Sequence, residues 1–155
     1  MKSINFVVIG VSGSGKSSVA KNLSLHSCLN YVDADKFHSH KNKIKMKTGL
    51  ALTEKDRMPW FKRITKYLKY KNNWVLACSA LKCSHRNILK RKLRKVTFIW
   101  LDTSYVNIVK RIEKRKNHFF SSKLIQSQFD TFEVPKDCFR IKTNKPLYVV
   151  KLIAR

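Results

Sequence analysis

Short, almost continuous apolar runs alternate along the chain with segments in which apolar residues recur every three or four positions. Runs at 4–9, 74–78 and 96–101 are typical of strands buried on both faces, and shorter runs at 31–32 and 138–141 predict two more strands. The helical stripes between them are Val19/Ala20/Leu23, Phe61/Ile64/Leu68, Ile88/Leu89/Leu93, Tyr105/Ile108/Val109/Ile112 and Leu124/Ile125/Phe129/Phe132. This alternation favours an α/β domain, in which helices cover both faces of a five-stranded parallel sheet.

Proline positions and chain length set the expected limits of these elements. A helix over about 56–71 would carry Pro59 in its first turn, where a missing N–H costs little. Pro135 is expected to end the helix before the last strand, and 147–154 predicts a closing helix. With 155 residues and no repeat or linker, the chain is predicted to be a single domain over 1–155.

The loop after the first strand carries a phosphate-binding motif. Residues 10–17 match G-x-x-x-x-G-K-[ST], with a predicted strand before them and a predicted helix after them. In such a loop the glycines let successive N–H groups point at phosphate oxygens, the lysine contacts the β- and γ-phosphates, and the serine hydroxyl binds Mg²⁺. We therefore expect a nucleoside triphosphate to bind at Gly10, Val11, Ser12, Gly13, Ser14, Gly15, Lys16 and Ser17, with Lys16 also catalytic.

Two carboxylates directly follow the second predicted strand. Asp33 and Asp35 are two residues apart, so on an extended backbone their side chains point the same way. The carboxyl ends of parallel strands meet at one edge of the sheet, so both should face the phosphate-binding loop. One is expected to hold Mg²⁺, directly or through water, and the other to accept a hydroxyl proton; the two roles could be exchanged. A surface turn or a helix cap is the alternative for this pair.

Charge and composition restrict the partners. The chain has 34 Lys and Arg against 9 Asp and Glu, a formal net charge of +25. Such a charge attracts anionic substrates, but the lysines are spread over the whole chain, which favours a solvated basic surface without a specific nucleic-acid partner.

No apolar run reaches the roughly 18–20 residues of a membrane helix, no signal region opens the sequence, and the four cysteines form no metal-binding pattern. These features favour a cytoplasmic protein.

Triphosphate binding alone is compatible with several enzyme classes. A switch GTPase needs Asn-Lys-x-Asp, and the Asn-Lys pairs at Asn42 and Asn144 lack the aspartate. No apolar strand ends in the Asp-Glu pair that is usual in a water-activating ATPase, and the length excludes most motors. A small-molecule kinase is the class that these patterns favour.

A series of ordered motifs resembles the gluconokinases, small P-loop kinases related to shikimate kinase. The matching blocks are 10–17, Asp33-Ala34-Asp35, Phe37-His38, Asn42 with Lys45-Met46, Asp56-Arg57 with Pro59-Trp60, Cys78 to Lys82 with Arg86, Arg111, Arg115, His118-Phe119-Phe120 and Ser127-Gln128-Phe129. The string at 78–82 is the most family-specific. The chain departs from the family pattern at Ala34, Ser39, Ala51, Glu54, His85, Asn87 and Asn117.

The resemblance implies a three-layer α/β/α P-loop kinase, with a helical substrate-binding insertion at about 36–73 and a short lid at about 113–123. It also implies phosphorylation of D-gluconate at its 6-hydroxyl by ATP, giving 6-phospho-D-gluconate and ADP, with Mg²⁺ as cofactor. In this interpretation Asp35 positions or deprotonates the hydroxyl, while Asp33 and Ser17 hold Mg²⁺.

The resemblance also implies which basic side chains belong to the site. Arg57 and Arg86 would bind the sugar-acid carboxylate, because a guanidinium can form two parallel hydrogen bonds to it, and His38 and Lys82 would contact sugar hydroxyls. Arg111 and Arg115, four apart on a helix, would form a lid clamp that stabilises charge on the transferred phosphoryl group.

Relatives are commonly dimeric, so a homodimer is expected. The alternatives are a P-loop kinase of another small alcohol, such as shikimate or a nucleoside, and a basic nucleic-acid-binding protein with a vestigial P-loop.

Overall fold

Five parallel strands form one sheet in the computed structural model, which describes residues 4–114 and 122–143. The strands are β1 (Asn5–Ile9), β2 (Asn30–Asp33), β3 (Trp74–Ala77), β4 (Val96–Asp102) and β5 (Phe139–Lys142). Their order across the sheet is β2-β3-β1-β4-β5, and each neighbouring pair is parallel. The predicted α/β class and five-stranded parallel sheet are confirmed.

Helices connect the strands in the expected alternation. They are α1 (Lys16–Ser27), α2 (His40–Lys47), α3 (Glu54–Leu68), α4 (Cys83–Lys92), α5 (Tyr105–Glu113) and α6 (Ser122–Thr131). Helices α2 and α3 lie between β2 and β3, within the segment named above as an insertion. The predicted closing helix at 147–154 and most of the predicted lid lie outside the described residues. Across the described ranges, no helix has the length and hydrophobicity to cross a bilayer.

The core lies on both faces of the sheet, because alternate residues of each central strand point in opposite directions. Val7 and Ile9 of β1 pack with the α3 stripe at Phe61, Ile64 and Leu68. Val8, between them, packs on the other face, in a cluster that includes Val19, Ala20 and Leu23 of α1. The domain therefore has the predicted three layers.

Helix α3 begins earlier than the sequence predicted. Thr53 caps it: its side chain accepts from the Asp56 N–H at 3.3 Å, and the Asp56 carboxylate accepts from the Thr53 N–H at 2.9 Å. With Glu54 as its first residue, the helix has Pro59 inside it, not in its first turn as predicted. Pro59 therefore removes one intrahelical hydrogen bond, to the Lys55 carbonyl.

The same helix holds the turn that follows β2, a single 3₁₀ turn (Ala34–Phe37). Trp60, only 1% exposed, donates from its indole Nε1 to the Ala34 carbonyl at 2.7 Å. The Trp60 ring also stacks on His38, with 4.3 Å between ring centroids. A buried indole N–H needs an acceptor, so this contact determines where the turn, and with it Asp35, lies against α3.

Helix α2 is fastened to α3 by polar contacts. The Ser39 hydroxyl caps α2 by accepting from the Asn42 N–H at 3.1 Å. The buried Asn42 amide donates to the Asp56 carbonyl at 3.0 Å, and the Lys45 ammonium pairs with the Asp56 carboxylate at 2.7 Å. These contacts hold α2 beside the 3₁₀ turn.

The packing of α3 predicts a stability difference between two isoleucines. Ile64 is fully buried in the α3 stripe, whereas Ile44 on α2 is 49% exposed. We expect Ile64→Ala to lower the free energy of unfolding by about 2–5 kcal/mol, because it leaves a cavity in the core. Ile44→Ala, the matched control, should cost far less. Urea denaturation measures both, and equal losses would contradict the described packing of α3.

Candidate active site

The loop between β1 and α1 has the backbone conformation of a phosphate cradle. Gly13 has φ +80°, a region that L side chains rarely adopt, and Gly15 has φ +96°. A Cβ at Gly13 would also lie 3.2 Å from Ile112 Cδ1, and one at Gly10 would lie 2.8 Å from the Ser14 hydroxyl. The glycines are therefore required for both backbone conformation and close packing. A 12-residue helix, α1, begins directly after them and directs its positive end at the loop.

Lys16, the first residue of α1, directly follows this loop and lines both of the cavities described below. Its ammonium donates to the Val11 carbonyl at 2.9 Å. Burial lowers the pKa of Lys16, and the negative charges of Asp35 and Asp33 oppose that shift. Gly10, Val11 and Ser14, also expected to bind phosphate, do not line either cavity and shape the loop from behind.

Gln128 of α6 fastens the outer arm of the loop. The Ser12 N–H donates to the Gln128 Oε1 at 2.7 Å, and the Gln128 amide nitrogen donates to the Ser12 hydroxyl at 3.0 Å. The amide of Ser12, predicted to contact phosphate, is thus already hydrogen-bonded. From the sequence Gln128 is only part of a motif, since nothing local to either segment predicts a contact across 116 positions.

A smaller cavity, of about 170 Å³, opens beside the glycine loop. It is lined by Ser12, Gly13, Gly15, Lys16, Ser17, Ser18, Asp33, Asp35, Ala77 and Ile112. The structure therefore brings together Ser17 and Asp33, the two residues predicted to hold Mg²⁺. Hydroxyl and carboxylate oxygens suit Mg²⁺, which usually completes its coordination with phosphate and water oxygens. Residues 4–114 and 122–143 contain no cluster of three or more His, Cys, Asp or Glu that could hold a metal ion without such help.

A larger cavity, of about 340 Å³, adjoins the smaller one. It is lined by Ser12, Lys16, Asp35, His38, Lys43, Met46, Lys47, Ala51, Leu52, Arg57, Ser79, Leu124, Ser127 and Gln128. Ser12, Lys16 and Asp35 line both cavities. The wall that they form is where a group bound in one cavity could reach a group bound in the other.

Asp35 projects from the 3₁₀ turn into this shared wall. Its side chain is 83% accessible and lines both cavities. Partial desolvation by the neighbouring groups raises the pKa of Asp35, while the ammonium of Lys16 lowers it, Asp33 raises it and Lys43 lowers it. A carboxylate that borders both the phosphate-binding loop and the larger cavity can accept a proton from a hydroxyl bound there.

His38 is a neutral group in the wall of the larger cavity. Burial lowers the pKa of His38 to about 4, and Arg57, Arg63 and Lys43 contribute in the same direction. The Asn42 amide nitrogen, a donor to the Asp56 carbonyl, lies 3.4 Å from His38 Nδ1, so that ring nitrogen accepts. The proton is then on Nε2, which lies 3.8 Å from the Asp35 carboxylate. His38 therefore presents a neutral N–H beside Asp35.

Three cationic side chains occupy the wall of the larger cavity away from the glycine loop. Arg57 was predicted to belong to the acceptor site, whereas Lys43 and Lys47 were not. The two lysines are four residues apart on α2, so a predicted helix there would have placed them on one face. Burial lowers the pKa of Arg57. Within the described parts of the chain, no hydrogen bond or ion pair joins these three side chains to another group. They are available to an anionic ligand.

Arg86 does not line either cavity, contrary to its predicted contact with a substrate carboxylate. It is 5% exposed, and its guanidinium donates to the carbonyls of Ala80, Leu81 and Glu133 at 3.0, 2.8 and 2.7 Å. Ala80 has φ +35°, a strained conformation for a residue with a side chain. Arg86 therefore stabilises the loop after β3, and we do not carry its substrate role forward.

Lys82, predicted to contact a sugar hydroxyl, also lies outside both cavity linings. Its ammonium pairs with the Glu54 carboxylate at 3.0 Å, and His85 Nε2 lies 3.0 Å from the same carboxylate. His85 is 1% exposed, and burial lowers its pKa although Glu54 opposes this. Glu54 and His85, two departures from the family pattern, are thus in contact, and they link α3 to α4.

The predicted lid clamp is described only in part. Arg111 of α5 donates to the Ser14 carbonyl at 3.3 Å and to the Thr143 carbonyl at 3.0 Å, so it touches the backbone of the glycine loop. Arg115 and His118 lie outside the described residues.

Comparison with known proteins agrees with this arrangement. The shikimate kinase family model matches residues 12–134. The thermosensitive gluconokinase of Escherichia coli (strain K12) is 36% identical over an alignment of 148 positions, which covers 90% of this chain and 79% of that protein. A gluconokinase structure from Sinorhizobium meliloti 1021 superposes with a TM-score of 0.89 at 34% identity, covering 97% of this chain and 89% of that one. Shikimate kinase from Aquifex aeolicus, at 21% identity and a TM-score of 0.62, shares the fold.

The range matched by the family model, 12–134, includes most of the glycine loop, the carboxylates after β2 and the basic wall of the larger cavity. The chain belongs to the gluconokinases, within the P-loop kinases related to shikimate kinase.

Proposed function

We propose that this protein transfers the γ-phosphoryl group of ATP to the 6-hydroxyl of D-gluconate, giving 6-phospho-D-gluconate and ADP. The O6–Pγ bond forms, the bond from Pγ to the bridging oxygen of ADP breaks, and the hydroxyl proton passes to a carboxylate. The observation that carries this proposal is the wall formed by Lys16 and Asp35, because it joins the nucleotide end of the site to the acceptor end. Kinases of this chemistry act mainly by alignment and charge stabilisation.

The glycine loop and the smaller cavity form the nucleotide end. Backbone N–H groups of the loop and the ammonium of Lys16 would contact the phosphates. Ser17 and Asp33 would hold Mg²⁺, which, when bound, neutralises charge on the β- and γ-phosphate oxygens. Arg111 and Arg115 are proposed to stabilise the transferred phosphoryl group, which is supported by the contact of Arg111 with the Ser14 backbone.

Asp35 and His38 form the centre of the acceptor end. The Asp35 carboxylate would accept a hydrogen bond from the 6-hydroxyl, orient it toward the γ-phosphate and take its proton. The neutral Nε2–H of His38 would donate a hydrogen bond to a neighbouring hydroxyl of the acceptor. A protonated imidazole would instead pair with the Asp35 carboxylate and would be less selective for this hydroxyl.

The basic wall of the larger cavity suits the carboxylate of the acceptor. Arg57 offers a guanidinium for two parallel hydrogen bonds, and Lys43 and Lys47 add positive charge beside it. Arg57 is partly buried, and a neutral alcohol would leave its desolvated guanidinium without an anionic partner, which costs free energy. The site therefore favours an anionic acceptor over a neutral nucleoside.

Two other functions are tested by two different measurements. Turnover with gluconate, shikimate, nucleosides and sorbitol is compared by coupled ADP release, and preference for an acceptor other than gluconate would replace the proposed substrate. A nucleic-acid-binding role would instead require DNA or RNA affinity that persists at about 0.15 M salt, since counterion release weakens purely electrostatic binding.

We also propose a cytoplasmic homodimer. The four cysteines are free thiols, as is usual in a reducing compartment, and relatives of this family are commonly dimeric. Light scattering after size-exclusion chromatography tests the dimer, and a monomer at micromolar concentration would refute it.

Asp35→Asn tests the base. Removing the proton acceptor should lower kcat by about 10²–10⁴-fold, while ATP binding persists because a negative charge near the triphosphate is also removed. Steady-state kinetics and calorimetry measure the two effects. Asp137→Asn, a surface aspartate with 86% side-chain exposure, is the control and should behave like the wild type. A near-normal kcat in Asp35→Asn would reject the assigned role.

Arg57→Ala tests the carboxylate site. The apparent KM for gluconate should rise about 10- to 100-fold, because a hydrogen bond to a charged group contributes about 1.5–3 kcal/mol. The KM for ATP should stay close to its original value. Any slow turnover of sorbitol, a six-carbon polyol without a carboxylate, should not change.

Arg91→Ala, an exposed arginine in the last turn of α4, controls for loss of one positive charge. An unchanged gluconate KM in Arg57→Ala would move the carboxylate to Lys43 or Lys47.

A further inference from the structure

Tyr31 of β2 has a hydroxyl next to the groups at the nucleotide end. It is half-buried, and its O–H donates to the Asp33 carboxylate at 3.2 Å. Tyr31 and Asp33 are two residues apart on one strand, so both side chains lie on the same face of the sheet. Nothing in the sequence around Tyr31 points to a role in the site, since a tyrosine in a short strand is ordinarily a packing residue.

The Asp33 carboxylate is held through both of its oxygens. Oδ1 accepts from the backbone N–H of Asp35 at 3.0 Å, and Oδ2 accepts from Tyr31. The carboxylate of an aspartate otherwise rotates easily about its last side-chain bond, so one of these hydrogen bonds alone would not fix its orientation. Together they set the plane of the carboxylate, and each oxygen keeps a lone pair for another ligand.

The hydroxyl of Tyr31 also lies close to Ser17. Burial raises the pKa of Tyr31, and the neighbouring Ser17 hydroxyl opposes that shift. Ser17 and Asp33 both line the smaller cavity, so one phenolic group adjoins both oxygen donors that would hold Mg²⁺.

We infer that Tyr31 is a positioning residue for the magnesium-bound nucleotide, and that it acts by fixing the carboxylate of Asp33 beside Ser17. The inference rests on the proposed function only in requiring that ATP is bound together with Mg²⁺. Groups that orient metal ligands commonly change metal affinity by about 10- to 100-fold when removed.

Tyr31→Phe tests the inference, because it removes only the hydroxyl and keeps the ring that packs in the core. Calorimetry without gluconate gives the Kd for ATP in Mg²⁺ and in EDTA. We expect the gain in affinity from Mg²⁺ to fall about 10-fold, with the Kd in EDTA unchanged. Tyr70→Phe, at a tyrosine that is 81% exposed, is the matched control and should keep the full gain.

A second variant separates positioning from general destabilisation. In an Asp33→Asn background the carboxylate that Tyr31 orients is gone, so adding Tyr31→Phe should have no further effect on the Mg²⁺ gain. An unchanged gain in Tyr31→Phe overturns the inference, as do additive effects of the two changes. An ATP affinity of the wild type that does not depend on Mg²⁺ overturns it as well. Wild-type protein that binds magnesium-ATP but fails to phosphorylate gluconate contradicts the proposed acceptor alone.

Discussion

The parallel direction of β1, β2 and β3 is the constraint on which the site depends. Their carboxyl ends lie at one edge of the sheet, where β1 leads into the glycine loop and β2 into Asp33 and Asp35. Because β3 lies between these two strands, residues at its carboxyl end, Ala77 and Ser79, also line the cavities. If β2 ran the other way, its carboxylates would stand at the far edge, out of reach of the phosphate-binding amides.

Helix α3 couples folding to the geometry of the acceptor end. Its apolar stripe is buried against the sheet, and from the same helix Trp60 holds the turn that carries Asp35, while Arg57 faces the larger cavity. The free energy gained by burying the stripe therefore also stabilises the relative positions of base and cation. A loop carrying the same side chains would lose that precision, because it would lack a buried face to orient it.

Electrostatics explains how one carboxylate works in a chain with a net charge of +25. Desolvation raises the pKa of Asp35, and the positive charges of Lys16 and Lys43 oppose that shift by stabilising the charged form. The departures at Glu54 and His85 form a contact of their own with Lys82, away from both cavities. The two departures from the family pattern are therefore in contact with each other in the structure.

Apolar periodicity and the glycine motif by themselves determined the strands, the described helices other than α2, the nucleotide loop and the carboxylates after β2, because each depends on neighbours in sequence. Contacts between distant segments were decided only by the tertiary structure. Examples are the hydrogen bonds of Gln128 to Ser12, of Trp60 to the Ala34 carbonyl and of Arg86 to three carbonyls. Each joins two segments, and the sequence of one segment gives no indication of the other. For the same reason the sequence assigned Arg86 to the substrate and missed Lys43: which cation faces a cavity depends on packing, and that is set by the whole fold.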